Sequence, residues 1–493
     1  MLGTLTALAL AATTGQADDS LIEQARSECS GMPASSTLVD ARGLTTLEQL
    51  VEKAKPHRGS MHIVVGGDFS GQDLREVAWF LDRGCIVETK LEKSDLRGAD
   101  LVSTVFIRAQ MAGADLRGAT LDTAQFVGVD LSGADLSGAS LGGATWEGAN
   151  WSSKLEGTSF RGAFMESFAF KCEITMDMSC GGSSGADFSG ADLTDADLSS
   201  YPIWGFDSFD GATFNRTYVS ARAVPYLEGI DVIGPVLLGY KPQSPDDGRA
   251  RVELSAEEFG ALVTSSRAAK RDVPSFDCAK AAKSVETLIC GEYQSELRRL
   301  DRDMAALYGQ ARTAGKADAA GQRAWLSRRN DCTKGECVET SYRARMQELF
   351  AAIGTELAIA PDASREYEED VLPVTDDMRQ SALYQRILPA IRMASMQGVT
   401  LTGREDGSIS ARGEAVGGNA HTCSLGADEL VYDPATGWYS ATARDGSPIP
   451  ILLVWDQRLF FRYSGNADTP DEAQDYISCG MRAAFGELRE LGR

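Results

Sequence analysis

The amino-acid sequence predicts a multidomain, mainly β protein: a β-solenoid, then a small disulfide-linked α-helical domain, then a C-terminal α+β domain. Three observations predict this order. An apolar residue recurs at every fifth position in the first half of the chain, helical periodicity starts near residue 276, and short alternating runs start near residue 399. The 493 residues are enough for about three domains of ~100–200 residues each.

We place the boundaries where the periodicity changes. The segments are a signal peptide (1–20), an N-terminal cap (21–65), the solenoid (66–220), a C-terminal cap and linker (221–272), the helical four-cysteine domain (273–357), an acidic linker (358–377) and an α+β domain (378–493). The signal peptide is predicted from the apolar run Leu2–Ala12 and the small residues after it, although a basic start is missing. The alternative is a disordered N-terminal tail. No later run reaches the ~20 apolar residues of a membrane helix.

The five-residue period is strict from Leu91 to Trp151. Its thirteen apolar centres are Leu91, Leu96, Leu101, Phe106, Met111, Leu116, Leu121, Phe126, Leu131, Leu136, Leu141, Trp146 and Trp151. The residue two positions before a centre is usually alanine, as at Ala114 and Ala119. Such a period fits neither a helix of 3.6 residues per turn nor a strand, which alternates every two residues. It predicts a coil that turns a corner every five residues and sends one large and one small side chain inward per side.

The pattern A-D-L-x-G, as in Ala114-Asp115-Leu116-Arg117-Gly118, resembles the pentapeptide-repeat family over about 150 residues. The resemblance implies a right-handed, four-sided β-helix with about twenty residues per coil and about seven coils. Because each coil cannot bury its ladder alone, we expect a cap at each end. In the N-terminal cap, Thr45–Lys55 is predicted to be helical; in the C-terminal cap, Arg249–Leu254 is predicted as a strand and Ser255 as the start of a helix.

Aspartate recurs just before the centres, and residues 66–219 hold 23 acidic and 11 basic residues, a net charge of -12. We interpret this stripe as a solvated face. The alternative is a rod that mimics DNA and binds gyrase, as some pentapeptide-repeat proteins do, which requires residence in the cytoplasm. The excursion at Lys171–Gly185 carries Cys172 and Cys180 and is interpreted as a tolerated insertion, with a recognition loop as the alternative.

Behind the solenoid, three helices are predicted. Leu297, Leu300, Met304 and Leu307 share one face of the first, the second runs through Trp325 to Cys332, and the third carries Tyr342, Met346, Leu349 and Ile353. Three helices make a small core, so two disulfides are expected to stabilise it. Cys278, Cys290, Cys332 and Cys337 allow three pairings, of which a short Cys332–Cys337 loop with Cys278–Cys290 is one.

This segment resembles the N-terminal domain of the LprI-type lysozyme inhibitors. The matching residues are Asp277, Cys278, Glu286, Ile289, Cys290, Leu300, Asp301, Tyr308, Gln322, Arg323, Trp325, Arg328, Arg329, Asn330, Cys332, Cys337, Tyr342 and Arg345. The resemblance implies an exported helical domain without catalytic activity and, by analogy, inhibition of lysozyme. We expect Asp301 and Arg329 to form a polar pair that joins adjacent helices; contact with a partner is the alternative.

The C-terminal domain combines a helix at Met378–Gln397, kinked at Pro389, with six short strands and a final helix at Asp471–Leu491. Cys423 and Cys479 are expected to tie the sheet to that final helix. The ten cysteines form groups along the chain: Cys29 with Cys85, which could pin the N-terminal cap to the first coils, Cys172 with Cys180, the group of four, and Cys423 with Cys479. Even numbers within each group favour disulfides and an oxidising compartment, periplasmic or secreted.

Catalytic and cofactor motifs are scarce. The chain has three histidines, His57, His62 and His421, no phosphate-binding loop and no C-x-x-C pair, so we predict no enzyme, no metal site and no cofactor. The net charge of -23 argues against a nucleic-acid partner and suits a soluble surface, a basic partner or divalent cations. The sequence therefore predicts a non-catalytic, exported binding protein of the bacterial envelope with a protein partner, either a lysozyme or another envelope protein. The alternative is a structural scaffold in the periplasm.

Overall fold

A computed structural model describes the chain in segments. They are residues 20–54, 61–75, 81–147, 169–171, 186–199, 208–242, 248, 250–269, 274–291, 294–354, 356–416, 422–463, 469–480 and 485–490. The signal-peptide prediction, the Cys172–Cys180 loop, His57 and His421 lie outside these residues. The chain divides into two units: unit 1 is Met1–Ser266 with Ser381–Ala394, and unit 2 is Arg267–Gln380 with Ser395–Arg493.

Unit 1 contains the predicted β-solenoid, and the five-residue period is confirmed as its basis. One long sheet runs along it, with neighbouring strands parallel except for the last pair. Its strands are β1 (Thr37–Asp40), β2 (His62–Val65), β3 (Cys85–Val87), β4 (Val105–Ile107), β5 (Gln125–Val127), β6 (Thr145–Glu147), β7 (Ala169–Lys171), β8 (Asp197–Leu198), β10 (Tyr218–Val219), β12 (Val236–Gly239) and β13 (Arg251–Leu254). A second, two-stranded sheet pairs β9 (Thr213–Phe214) with β11 (Asp231–Val232).

The coils from β3 to β6 stack at a spacing of twenty residues, or four pentapeptides. Phe106 lies in register with Phe126, and Phe126 with Trp146. The stacked rings of Phe106 and Phe126 are 5.4 Å apart, and those of Phe126 and Trp146 4.8 Å. Each such ring pair stabilises the fold by about 0.5–1.5 kcal/mol beyond the contribution of its buried apolar surface.

The glycine that closes many repeats is required by the backbone. Gly118 has φ +66°, and the equivalent position of the next repeat, Thr123, has φ +57°. Left-handed conformation at the last residue of each repeat makes the corner of the coil. Glycine adopts this conformation without the steric cost of a Cβ, which explains why glycine closes so many of the repeats.

The N-terminal cap extends the solenoid. The segment at 21–65 contributes β1 and β2 to the long sheet, together with the helical segment α1 (residues 20–28) and helix α2 (Leu47–Ala54). α1 packs on the outward apolar side chains of β3 and β4, including Val87 and Ile107. A disulfide between Cys29 and Cys85 fixes it there.

The C-terminal end of the solenoid is closed by β13, which pairs antiparallel with β12, and by helix α3 (Ala256–Ala269). A third element, α9 (Ala382–Ala394), contacts both strands although it comes from the predicted C-terminal domain. Arg386 of α9 pairs with Glu258 at 2.7 Å, and Arg222 donates from Nε to the carbonyl of Ala394 at 2.7 Å. Pro389 lies inside α9, and the helix predicted for Met378–Gln397 is instead broken between α8 (Asp376–Arg379) and α9.

Unit 2 combines helices with a second sheet. The helices are α4 (Ser284–Ile289), α5 (Ser295–Thr313), α6 (Ala319–Arg329) and α7 (Gly335–Ile353). The strands are β14 (Ser364–Glu369), β15 (Gln397–Gly403), β16 (Ile409–Val416), β17 (Thr422–Asp433), β18 (Trp438–Thr442), β19 (Pro448–Trp455), β20 (Arg458–Phe461), β21 (Ile477–Cys479) and β22 (Leu488–Glu490).

The sheet of unit 2 closes on itself. Each strand from β14 to β20 pairs antiparallel with the next along the chain, β20 pairs with β22, and β22 pairs back with β14. Eight strands therefore form a ring whose interior is filled by side chains such as Tyr367, Leu401 and Ile451. We refer to this ring as the closed sheet.

Two predictions for this part of the chain are wrong. The acidic linker at 358–377 contains β14, a member of the ring. The final helix at Asp471–Leu491 is replaced, in its described residues, by the short helix α10 (Asp471–Gln474) and strands β21 and β22. Cys479 consequently lies directly opposite Cys423 in a strand pair, and their disulfide joins two strands, not a sheet and a helix.

Candidate functional site

The predicted polar pair, Asp301 and Arg329, belongs to the helical four-cysteine domain, referred to below as the module. The two side chains lie in a closed, buried hydrogen-bond network. The Tyr342 hydroxyl donates to Asp301 Oδ1 at 2.5 Å and accepts from Arg329 Nη1 at 2.6 Å. Arg329 Nη1 lies 3.6 Å from Asp301 Oδ1, and the backbone N–H of Ser275 donates to Asp301 Oδ2 at 2.6 Å. Asp301 is 1% exposed and Arg329 4%. Asp301, Arg329 and Tyr342 come from α5, α6 and α7, so the network joins these three helices. Because so little of the Asp301 and Arg329 side chains is exposed, the pair has no surface to offer a partner.

Burial, and then the charge of Asp301, raise the pKa of Tyr342 above its ordinary value. The tyrosine therefore stays neutral and serves as donor and acceptor at once. Trp325 packs edge-on against its ring at 5.2 Å and donates from Nε1 to the carbonyl of Ser341 at 3.2 Å. Asp301, Trp325, Arg329 and Tyr342 thus form the framework of the module.

Two disulfides clamp this framework. Cys278 pairs with Cys290 and Cys332 with Cys337, with sequence separations of 12 and 5 residues. The first ties the turn before α4 to the end of that helix, and the second ties the end of α6 to the start of α7. Closing a loop of the first size stabilises a fold by about 3 kcal/mol. The two disulfides therefore hold the ends of α4 and α6 to the segments that adjoin them in the chain.

The surface charge of the module differs from that of the whole chain. Residues 274–354 hold 13 Lys and Arg against 11 Asp and Glu, a net charge of +2, whereas the chain carries -23. Arg323 and Arg328 are exposed on α6. The expectation of a basic partner, drawn from the chain as a whole, therefore does not carry over to this module.

The module and the closed sheet share a core. Trp438 and Leu453 of the sheet belong to the same buried cluster as Leu300 and Tyr342 of the helices. A second ion network crosses between them: Arg458 Nη1 lies 3.2 Å from Asp303 Oδ2 and 3.0 Å from Glu487 Oε1. The helices and the sheet are consequently one packed body, and the module has no complete core without the sheet.

The aspartates of the solenoid have a structural task. The Asp95 carboxylate accepts from the backbone N–H of Arg97 at 3.2 Å and from its Nη2 at 2.6 Å. The same arrangement recurs one coil later between Asp115 and Arg117, and Arg97 Nε lies 3.5 Å from Asp115 Oδ2. The hydrogen bond from Arg117 lowers the pKa of Asp115. On this side of the rod, the aspartates of the acidic stripe therefore alternate with arginines, in an arrangement referred to below as the Asp–Arg ladder. Each of these carboxylates accepts hydrogen bonds from the backbone and side chain of the arginine two residues later.

A clamp holds α1 on the adjacent part of the rod. Arg108 donates to both carboxylate oxygens of Glu28, at 2.8 and 2.9 Å, and from Nε to Glu88 Oε1 at 3.0 Å. These ion pairs and the Cys29–Cys85 disulfide hold α1 over the outward apolar side chains of Val87 and Ile107. The ion pairs of Arg108 were not predicted from the sequence. The outward valine and isoleucine at Val87 and Ile107, where many other repeats carry polar residues such as Arg97 and Arg117, were the available signal.

Metal sites and membrane-spanning helices are absent from the described part of the chain. No group of three or more His, Cys, Asp and Glu is arranged to hold a metal ion among those residues. No described helix is long and apolar enough to cross a membrane.

Comparison with protein families matches one model, described as pentapeptide repeats, in eight copies at residues 85–122, 124–166 and 184–200. Comparison with curated proteins finds no match. The matched residues that the structure describes lie in the solenoid, so the repeat region is identified as pentapeptide repeats, and unit 2 lies outside the match.

Several solved structures are similar to the chain. Rfr23, a pentapeptide repeat protein from the cyanobacterium Cyanothece 51142, is 20% identical with a TM-score of 0.19, over 22% of this chain and 82% of Rfr23. QnrB1, a plasmid-mediated fluoroquinolone resistance protein, is 21% identical with a TM-score of 0.20, over 34% and 92%. HetL from Nostoc sp. strain PCC 7120, involved in heterocyst differentiation regulation, is 19% identical with a TM-score of 0.19, over 38% and 91%.

Proposed function

We propose that the protein is a non-catalytic, exported binding protein of the bacterial envelope, periplasmic or secreted, whose helical four-cysteine module binds and inhibits a lysozyme. In this proposal the pentapeptide repeats form a right-handed, four-sided rod that presents the rest of the chain. Stacked repeats of this kind build extended surfaces suited to binding other proteins.

The observation that carries the proposal is the closed Asp301–Tyr342–Arg329 network inside two disulfides. It makes the module rigid, and a rigid surface loses little conformational entropy on binding. The exposed basic side chains on α6 are complementary to a cleft with two catalytic carboxylates, which is the usual equipment of a glycoside hydrolase. The acidic remainder of the chain suits the basic surface of many lysozymes.

The test is inhibition of several lysozyme types by the full chain, because the module shares its core with the closed sheet. Wild-type protein is expected to slow lysis of a cell-wall suspension at micromolar concentration. Arg323→Glu combined with Arg328→Glu should abolish the effect. The matched control, Arg404→Glu with Arg444→Glu, makes the same charge change outside the module and should leave inhibition intact. A wild-type chain that inhibits none of the lysozymes refutes the proposal.

The second candidate function is a structural scaffold in the periplasm. It is favoured by the closure of the solenoid, in which α1 with β1 and β2 lies at one end and β13, α3 and α9 at the other. Such a rod offers its sides to partners instead of stacking end to end. Crosslinking in the periplasm followed by capture of the full chain distinguishes the two: lysozyme supports inhibition, and other envelope proteins support the scaffold.

A DNA-mimicking role is less well supported. It needs the cytoplasm, and it needs unpaired carboxylates in place of the Asp–Arg ladder of Asp95, Arg97, Asp115 and Arg117. A periplasmic reporter fused to the C-terminus that is active in cells would eliminate it.

A further inference from the structure

A cavity of about 340 Å³ opens at one end of the closed sheet in unit 2. It lies where β14 begins, where β22 ends and where the hairpin turn joins β19 to β20, beside the C-terminal end of α7. Its size is at the lower end of the range for small-molecule sites. Neither the family match nor the proposed function makes use of it.

The charged lining is dominated by carboxylates. Of the residues that the structure describes, Glu356, Asp456 and Glu490 line the cavity together with one cation, Arg365. Arg365 Nη1 lies 3.6 Å from Glu490 Oε2, and its Nη2 donates to the carbonyl of Ala358 at 2.9 Å. That guanidinium is therefore already engaged. Among the described residues, neither Glu356 nor Asp456 has an ion pair, and both are exposed, so the cavity keeps two negative charges.

The remaining lining is apolar and held in place. Trp455, Phe350 and Leu357 contribute side chains. Trp455 donates from Nε1 to Gln310 Oε1 at 2.8 Å, and its ring meets Phe350 edge-on at 5.6 Å. Such a wall can take an apolar stem. The Trp455 ring already lies 4.6 Å from the guanidinium of Arg458, so the attraction for a further cation comes from the carboxylates.

The end of α7 forms part of the cavity wall, through Phe350, Ile353 and Gly354. Gly354 permits this close packing, since a Cβ there would lie 2.8 Å from the carbonyl oxygen of Phe350 and 2.9 Å from the hydroxyl of Tyr432. The carboxylates and the apolar wall thus favour the same ligand chemistry.

We infer that this cavity binds an organic cation on an apolar stem, an alkylammonium or alkylguanidinium group. Two sources supply it: a small amine in solution, or a Lys or Arg side chain on the surface of another protein. The inference does not depend on inhibition of lysozyme.

The test is calorimetric titration of the full chain with butylammonium, with butanol and butyrate as neutral and anionic probes of similar size. Butylammonium should bind in the millimolar range, and the other two at least about tenfold more weakly, because only the cation is attracted by the carboxylates. Glu356→Gln with Asp456→Asn should weaken butylammonium about tenfold. Asparagine tolerates the positive φ of 50° at position 456, so the turn is retained.

The matched control removes two exposed carboxylates of unit 2 away from the cavity, Glu405→Gln with Glu429→Gln, and should leave the affinity unchanged. A blocked Gly-Lys-Gly peptide separates the sources: affinity equal to that of butylammonium indicates a protein side chain, and a loss of about tenfold indicates a small amine. Equal binding of butanol, preferential binding of butyrate, absence of binding, or indifference to the Glu356/Asp456 variant each overturns the inference.

Discussion

Replacing Tyr342 with Phe removes one oxygen atom from the interior of unit 2 and leaves its volume nearly unchanged. That oxygen donates to Asp301 at 2.5 Å and accepts from Arg329 at 2.6 Å. A hydrogen bond to a charged group contributes about 1.5–3 kcal/mol, and the direct Asp301–Arg329 pair that remains offsets part of the loss. We therefore expect a destabilisation of about 3 kcal/mol, roughly a 150-fold shift in the opening equilibrium.

Hydrogen exchange measured by mass spectrometry is the suitable assay, since a chain of several units does not unfold in one step. Peptides from α6 and α7 report on the network directly. The control is Tyr308→Phe, in a tyrosine that packs partly buried against the same core. If Tyr342→Phe speeds exchange no more than Tyr308→Phe, the network does not stabilise the module, and the case for a rigid framework fails.

The same variant predicts a pH dependence. Because the folded state raises the pKa of Tyr342, mainly through burial, the unfolded chain releases this proton first as the pH rises through about 10. The contribution to stability is complete below that pH and falls by about 1.4 kcal/mol per pH unit above it. Tyr342→Phe should lack this alkaline loss. Tyr439, whose pKa burial raises to about 12, contributes equally in both proteins.

Three further predictions concern other parts of the chain. Cys29→Ser opens a disulfide with a sequence separation of 56 residues, worth about 4 kcal/mol by loop entropy, and should speed hydrogen exchange in residues 20–28 selectively. Gly413→Ala should destabilise unit 2 by about 1–3 kcal/mol, measured by hydrogen exchange in peptides of β15 and β16, because its Cβ would lie 2.4 Å from the Val399 side chain, whereas Gly426→Ala meets nothing within 4 Å and should be neutral. Arg117→Gln should raise the pKa of Asp115 in a carboxyl NMR titration. Any stability from that carboxylate is present above its ordinary pKa and is lost as the pH falls towards the folded value, so the variant should lose less in acid.

The period of five was sufficient to predict the solenoid because each repeat contacts its neighbours through the same few positions. The aromatic stack of Phe106, Phe126 and Trp146 follows from register alone. The disulfides could also be predicted from the sequence. The four described pairs join cysteines within one predicted segment or between the first cap and the first coil.

The wrong predictions all concern segments whose partners are distant in sequence. Tyr367 in the predicted linker pairs with Val399 on one side and Glu490 on the other. The residues from 477 to 479 resemble a helix in local spacing but form a strand opposite Cys423. Local periodicity carries no information about such pairings.

The sequence by itself therefore determined the solenoid, its five-residue corners and the helices and disulfides of the module with four cysteines, because these depend on neighbours in the chain or in the next coil. The tertiary structure decided the rest. It buried Asp301 and Arg329 around Tyr342, moved α9 to the end of the solenoid, closed the second sheet into a ring and assembled a cavity from Glu356, Arg365, Asp456 and Glu490. Each of these outcomes brings together residues that are far apart in sequence. The entropic cost of closing the intervening loops is offset by their contacts only when the whole unit packs.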